Sequence, residues 1–537
     1  MNPLSAESAH PMYFVAVVAA GPLALLCGVF VPTDLANQHG RRFARIASLL
    51  ALGVFGIAVL AAIVRGLAGP LVQEVASVGP LHLDLYFDTL SAVILVLVSF
   101  LGAVVVRYSE NYLAGDQQQG RFIKWLCVTI GSVLLLTVSG NLLLFALAWM
   151  GTSMSLHKLL TFYPEKPAAM LAAQKKFIFS RVGDACLLGA LILTWKCFGT
   201  WNFTQIFEAA ATFSAHGGEG SALLKWTSLL LVAGALLKSA QFPFHSWLPD
   251  TMETPTPVSA LMHAGIINAG GFLVVRLSPM IAVSPAALNA LALVGAFTAL
   301  FASVVMLTQT NVKRALAYST IAQMGFMMLQ CGLGAFALAV LHIVAHSLYK
   351  AHAFLSSGSI VSMKKGAWVP SERPSAHPLI LVGTLASAVG LTWGVGTLFG
   401  IGLASGAGVL LLGAVFIMAL AYLLWNLWAS SHRVSLIGLG LLMGTGAAAA
   451  YFTLHAAFEK LLASSVAAYA PARSPFEYGV MVVVVLLFMA VLVLQSQLPI
   501  WSTTRLGRSF YVHASQSFYL GAIATRLTRA LLGKLPA

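Results

Sequence analysis

Hydrophobic and polar positions divide the chain into apolar runs of about 20 residues, punctuated by short polar or Pro/Gly-rich connections, to about residue 498. An apolar helix of about 20 residues spans the hydrocarbon of a bilayer, so the runs are read as transmembrane helices. They number about 15: 12–31, 44–66, 85–107, 122–139, 141–162, 170–195, 222–243, 256–277, 286–309, 314–333, 335–357, 379–402, 406–429, 435–456 and 478–497. The longest polar connections, 196–221, 358–378 and 457–476, are too short to carry a soluble active site. Beyond the last run, Tyr519, Leu520, Ile523, Leu527 and Leu531 share one helical face, with Arg526 and Arg529 off it. That pattern suits a helix lying in the cytoplasmic interface; a frayed tail is the alternative. The fold class is an all-α polytopic membrane protein.

Two runs are interrupted. The seventh ends in Lys238-Ser-Ala-Gln-Phe-Pro243, and Pro249, Pro255 and Pro257 crowd its link to the eighth. The twelfth carries Gly390, Gly394, Gly396, Gly400 and Gly402. Interrupted helices at matching places in two halves point to an inverted-repeat transporter whose site lines the breaks. Glycine and proline are also common in ordinary membrane helices.

Composition agrees with a lipid solvent: 59% of residues are hydrophobic, 9% are charged, and the mean hydropathy is +0.89. The net charge of +14 does not signal nucleic acid. With the N-terminus outside and the C-terminus cytoplasmic, about 21 of the 30 Lys and Arg fall in odd-numbered loops and the tail, among them Arg41, Lys175, Lys176 and Lys313. The even loops hold about six, including Arg65, Arg276 and Lys460. That is the positive-inside bias of a cell-membrane protein. The N-terminus lacks a basic leader segment, so the first span is expected to be retained. Cys27, Cys127, Cys186, Cys197 and Cys331 are scattered without ligand spacing, and no metal site or cofactor is expected in this chain.

Candidate chemistry lies in charges that cannot reach water. Lys238 sits about 16 residues into its span; it is either a switchable proton carrier or a snorkelling side chain. His342, His346 and Lys350 recur every four residues on one helix, a stripe suited to proton relay or to hydrogen-bonded packing. Asp184 lies mid-span three residues after Arg181, as a counter-charge for Lys238 or as half of an intrahelical pair. His263 follows the proline-rich link inside span eight, either functional or structural. Asp250 and Glu253 beside the prolines read first as solvated loop or cap residues.

The stretch Lys238-Ser-Ala-Gln-x-Pro243, then Trp247-Leu-Pro-Asp-x-Met-x-x-Pro-Thr-Pro-Val-Ser-Ala-Leu-x-His263, resembles the proton-antiporter-like membrane subunits of respiratory complex I (its chain 5, or subunit L) and of multisubunit cation/proton antiporters. Arg181-Val-Gly-Asp184, Val312-Lys313-Arg, and His342-x-x-x-His346 with Lys350 extend the likeness over residues 80–360. The resemblance implies two inverted five-helix antiporter-like repeats containing broken helices, 119–283 and 284–404. They would be flanked by helices in 1–118 and 405–498 and by a cytoplasmic amphipathic tail, 499–537. It also implies an ion path through Asp184, Lys238, His263, His342, His346 and Lys350, supported by Arg181, Asp250, Glu253 and Lys313.

The departures are specific. Met150 stands where respiratory members carry a glutamate, span twelve has no ionisable residue, and the short tail has no room for a long lateral helix. Together with HAGIINAGGFLVVR at 263–276 and HKLLTFYPEKPAA at 157–169, these features most resemble the DabB-like membrane subunit of DAB-type inorganic-carbon accumulation systems. That family implies a non-enzymatic subunit carrying protons or Na⁺, coupled to a large peripheral carbonic-anhydrase-like zinc protein (DabA-like) that turns CO₂ into bicarbonate. The rivals are a proton-pumping subunit of an NADH-quinone oxidoreductase, a cation/proton antiporter subunit, and a scaffold that conducts nothing.

Overall fold

The computed structural model describes residues 11–69, 71–78, 81–215, 222–358, 378–401, 407–428, 434–467, 475–501 and 503–532. Helices α1 (Pro11–Leu26), α2 (Thr33–Gln38) and α3 (Gly40–Ala68) precede a hairpin of β1 (Leu71–Val78) and β2 (Leu81–Phe87). The strands are antiparallel, with Leu71 opposite Phe87 and Val78 opposite Leu81. The apolar pattern had no signal for this hairpin. It is followed by α4 (Thr89–Tyr112), α5 (Gln119–Val138), α6 (Leu142–Leu160), α7 (Pro167–Phe198), α8 (Phe203–Ala215) and α9 (Ala222–Lys238). Short α10 (Trp247–Asp250) leads to α11 (Thr256–Ala264), α12 (Ala269–Arg276) and α13 (Ser278–Ile281). Then come α14 (Pro285–Met306), α15 (Val312–Gly332), α16 (Phe336–Leu355), α17 (Pro378–Leu398), α18 (Ala407–Trp428), α19 (Val434–Leu462) and α20 (Pro475–Trp501). The tail forms α21 (Arg505–Ser515) and α22 (Leu520–Leu532).

Local chemistry sets several boundaries. Asp88, Asn141 and Asn311 accept hydrogen bonds from the first turns of α4, α6 and α15, satisfying orphan amides. Proline occupies the first turn of α7, α11 and α14, where its missing N–H costs nothing. Gly199, at φ 67°, ends α7 in the left-handed conformation that L side chains avoid.

Each of the fifteen predicted runs carries a helix, but twelve described segments are long and apolar enough to cross a membrane. By that measure the expected count is not reached: α1 and α9 have 16 and 17 residues, and α15 carries Lys313, Arg314, Gln323 and Gln330. The predicted break in span twelve is met only at its end, where α17 stops at Leu398 and Gly400 takes a left-handed φ of 73°. α17 runs without interruption through Gly390, Gly394 and Gly396, because a membrane helix tolerates glycine wherever its backbone bonds remain intact. Residues 402–406 of that glycine-rich stretch lie outside the described residues.

The seventh span is broken as expected. α9 stops at Lys238, Ala240 adopts a left-handed φ of 51°, and short helical turns carry the chain to Glu253. Span eight is broken as well, at Gly265 between α11 and α12, with a 3-10 turn over Ile266–Asn268. Its apolar window is 100% buried, against 17% for α20, so span eight runs through the centre of the bundle. Backbone contact holds α14 to α15. A methyl on Gly295 would lie 2.5 Å from the Leu329 amide, and one on Gly325 2.5 Å from that of Ala299.

The tail turns sharply at Ser517, Phe518 and Tyr519, all with positive φ. The buried Ser517 is hydrogen-bonded to the Tyr318 hydroxyl, and the Phe518 ring lies 5.8 Å from Phe301. Ile523, Leu527 and Leu531 stay exposed on the face that the sequence assigns to lipid.

Candidate functional site

The C-terminal residue of α9 points into the bundle. Lys238 is 8% exposed, and its ammonium donates to Ser153 Oγ at 2.8 Å and the Trp149 carbonyl at 3.4 Å. It also lies 4.4 Å from the Trp149 ring centroid. All three acceptors belong to α6, and none is an acid. Lys176 reaches the same serine from α7, donating to the Ser153 carbonyl at 3.1 Å. Both Lys175 and Lys176 are buried, although the charge pattern counts them among loop cations. The signal available in sequence was spacing: Lys176 precedes Asp184 by two helical turns. Asp184 itself meets Arg181 at 2.5 Å, an ion pair within one helix.

The two breaks are linked. Ser239, next to Lys238, donates to the Ile267 carbonyl at 2.8 Å, an acceptor freed by the interruption of span eight. Their close approach needs glycine, since a methyl on Gly270 would sit 2.4 Å from both the Ala235 carbonyl and Ser239 Oγ. Beside the second break, Asn268 donates to Ser347 Oγ and to the Ala264 carbonyl, each at 2.8 Å. A cavity of about 20 Å³ opens there, lined mainly by apolar residues such as Leu97, Val133 and Phe272, with Thr137, Asn268 and Ser347 on its wall.

The histidine–lysine stripe faces inward and divides. His342 Nδ1 lies 3.0 Å from Gln330 Oε1, and its ring is 6.1 Å from that of His346. Neither ring nitrogen of His346 has a hydrogen-bond partner among the described residues. Lys350 donates to the Leu316 carbonyl at 3.1 Å. Thr320 donates to the same carbonyl at 3.0 Å, and His263 Nδ1 lies 3.0 Å from the Thr320 hydroxyl. His263 Nε2 has no hydrogen-bond partner among the described residues. His263 also stacks on Phe354 at 4.4 Å. Buried imidazole nitrogens without protein partners suit a hydrated route better than a dry core.

The supporting residues separate. Asp250, whose side chain stays 35% exposed, pairs with the buried Lys175 at 2.5 Å, a partner the loop reading did not include. Lys175 also donates to the Gly521 carbonyl of α22 at 3.3 Å. Lys313 donates to Thr256 Oγ1 at 3.2 Å, at the start of α11. Glu253 is exposed and joins none of these groups. Arg276, counted in a loop, is buried and bidentate with Asp88, both contacts at 2.9 Å. Burial raises the Asp88 carboxyl, but the Arg276 charge and hydrogen bonds outweigh it and hold the group below its ordinary value. Among the described residues no cluster of His, Cys, Asp or Glu could hold a metal, and the five cysteines are free.

Fold and site together define a polytopic helical membrane protein of the antiporter-like type, with titratable side chains gathered at two helix breaks inside the bundle. Residues 139–437 match the family described as NADH:quinone oxidoreductase/Mrp antiporter, TM, and residues 76–123 match the N-terminus of complex I chain 5. A Halothiobacillus neapolitanus protein named "Probable inorganic carbon transporter subunit DabB2" is 38% identical over 522 residues, 95% of this chain and 93% of that protein. A chloroplastic NAD(P)H-quinone oxidoreductase subunit 5 of Nandina domestica is 35% identical over 68% of this chain and 50% of its own length. The solved Mrp complex of Dietzia sp. DQ12-45-1b shares the fold, with a TM-score of 0.65 at 24% identity, over 98% of this chain and 60% of that one. The chain belongs to the NADH:quinone oxidoreductase/Mrp antiporter family of membrane subunits, on its DabB branch.

Proposed function

We propose that this chain is the proton-conducting, energy-coupling membrane subunit of a bacterial inorganic-carbon uptake complex. The observation that carries the reading is the contact between the two helix breaks, Ser239 to Ile267. Lys238 stands on one side of it, and His263, His346 and Lys350 lie around span eight and α16 on the other. Protons move between these buried groups because each can bind or release one, and the interrupted helices supply free carbonyls and space for water. Residues 119–283 and 284–404 are the two inverted repeats that hold the path. The proton gradient is coupled to a peripheral carbonic-anhydrase-like zinc partner, which captures CO₂ as bicarbonate. The zinc belongs to that partner; this chain does no bond-making chemistry.

The test is uptake of labelled inorganic carbon by cells expressing the complex. Lys238→Ala is expected to abolish uptake while the partner still co-purifies. Normal uptake in that variant would overturn the mechanism. The likeness to the chloroplast subunit supports a second reading, a respiratory pump, and co-purifying flavin and iron–sulfur subunits would establish it instead.

A further inference from the structure

Around the first break, the cations outnumber the acids. α7 contributes Lys176, Arg181 and Asp184, α9 contributes Lys238, and α6 contributes only neutral acceptors, with His157 one turn beyond Ser153. Asp184 faces both lysines but is itself paired with Arg181, and among the described residues neither Lys176 nor Lys238 forms an ion pair with an acid. Both are buried, at 3% and 8% exposure, and both donate to Ser153, one to its carbonyl and one to its hydroxyl. Two ammonium groups on one serine repel each other, and burial weakens the screening between them. A proton on either side chain therefore opposes a proton on the other. This differs from an acid–lysine pair, in which opposite charges hold each other in place.

We propose that Lys176 and Lys238 are a coupled proton pair bridged by Ser153, in which a proton arriving on one expels the proton from the other. Lys176 is thus a positioning residue for the proton on Lys238. The proton that binds the Lys176 amine comes from water, and the one leaving the Lys238 ammonium passes to water. Only N–H and O–H bonds change. The inference rests on the proton-conducting reading above and adds to it the device that loads and unloads Lys238.

The test uses the assembled complex in liposomes, with an imposed membrane potential and an internal pH-sensitive dye. Lys176→Arg keeps a cation but cannot release its proton, so the conduction rate should fall tenfold or more while assembly holds. Lys176→Met removes the opposing charge, and the alkaline limb of its pH–rate profile should move upward by about one unit. Wild-type rate and profile in Lys176→Arg would overturn the pair. So would an active Lys176→Arg beside an inactive Lys176→Met, the mark of a purely structural cation. If Lys176→Met does not assemble, Lys176→Arg decides alone. Lys238→Met separates the two levels. If it conducts normally, the conduction reading itself fails. If it is silent while Lys176→Arg is normal, only the coupled pair fails.

Discussion

At the scale of single residues, the chain buries charge in two different ways. Asp88 and Arg276 are sealed together with ideal bidentate geometry, and Ser91 takes a further guanidinium hydrogen bond at 2.5 Å. Removing one partner of such a pair strands the other, at a cost of about 3–5 kcal/mol. Asp88→Asn is therefore expected to lower the thermal midpoint of the detergent-solubilised protein at neutral pH. The sign of the pH dependence follows from the depressed carboxyl. Its contribution is complete above the unfolded value of about 3.9 and is lost as pH falls through the lower folded value. Melting curves of wild type and Asp88→Asn should thus converge below about pH 4. Lys176 and Lys238 are buried without such a match, and an unmatched charge inside a membrane protein points to function. The stripe of His342, His346 and Lys350 was legible because four-residue spacing fixes a helical face. Lys176 was not, since next to Lys175 near a span boundary it resembles an ordinary loop cation. Only the tertiary approach of α7 to α6 distinguishes the two neighbours.

At the scale of elements, the apolar runs located the helices because bilayer thickness dictates their length. Breaks were legible where proline forced them and not where glycine merely permitted them. Pro243 follows the end of α9 as expected, whereas Gly390, Gly394 and Gly396 leave α17 continuous up to Leu398, short of Gly400 at φ 73°. The interruption at Gly265 was not legible because the run from Thr256 to Arg276 is apolar apart from Thr256, Ser259, His263, Asn268 and its final arginine. The hairpin escaped for a related reason, since two short paired strands leave no 20-residue signature. The joint between the breaks depends on Gly270. Gly270→Val would push α12 away from α9 and separate Ser239 from Ile267. Conduction in liposomes is expected to fall at least tenfold, with a smaller loss of stability, about 1–3 kcal/mol, typical of overpacking.

At the scale of the whole molecule, the membrane core and the tail are one structure. The strained turn at Ser517–Tyr519 is held by the Tyr318 hydroxyl, and α22 rests on α7. Tyr318→Phe removes one buried hydrogen bond, worth about 1 kcal/mol, so limited proteolysis should cut near residue 517 several-fold faster than in wild type. The sequence showed that α22 is amphipathic, but not where it docks, because docking depends on a hydroxyl two hundred residues earlier. One ammonium group, Lys175, grips two remote parts of the chain: Asp250, in the segment that follows the broken seventh span, and the Gly521 carbonyl of the terminal helix. A single fastener shared in this way makes the tail a handle. A protein that pulled on it from the aqueous side would exert leverage on the stretch anchoring Lys238, without itself entering the lipid.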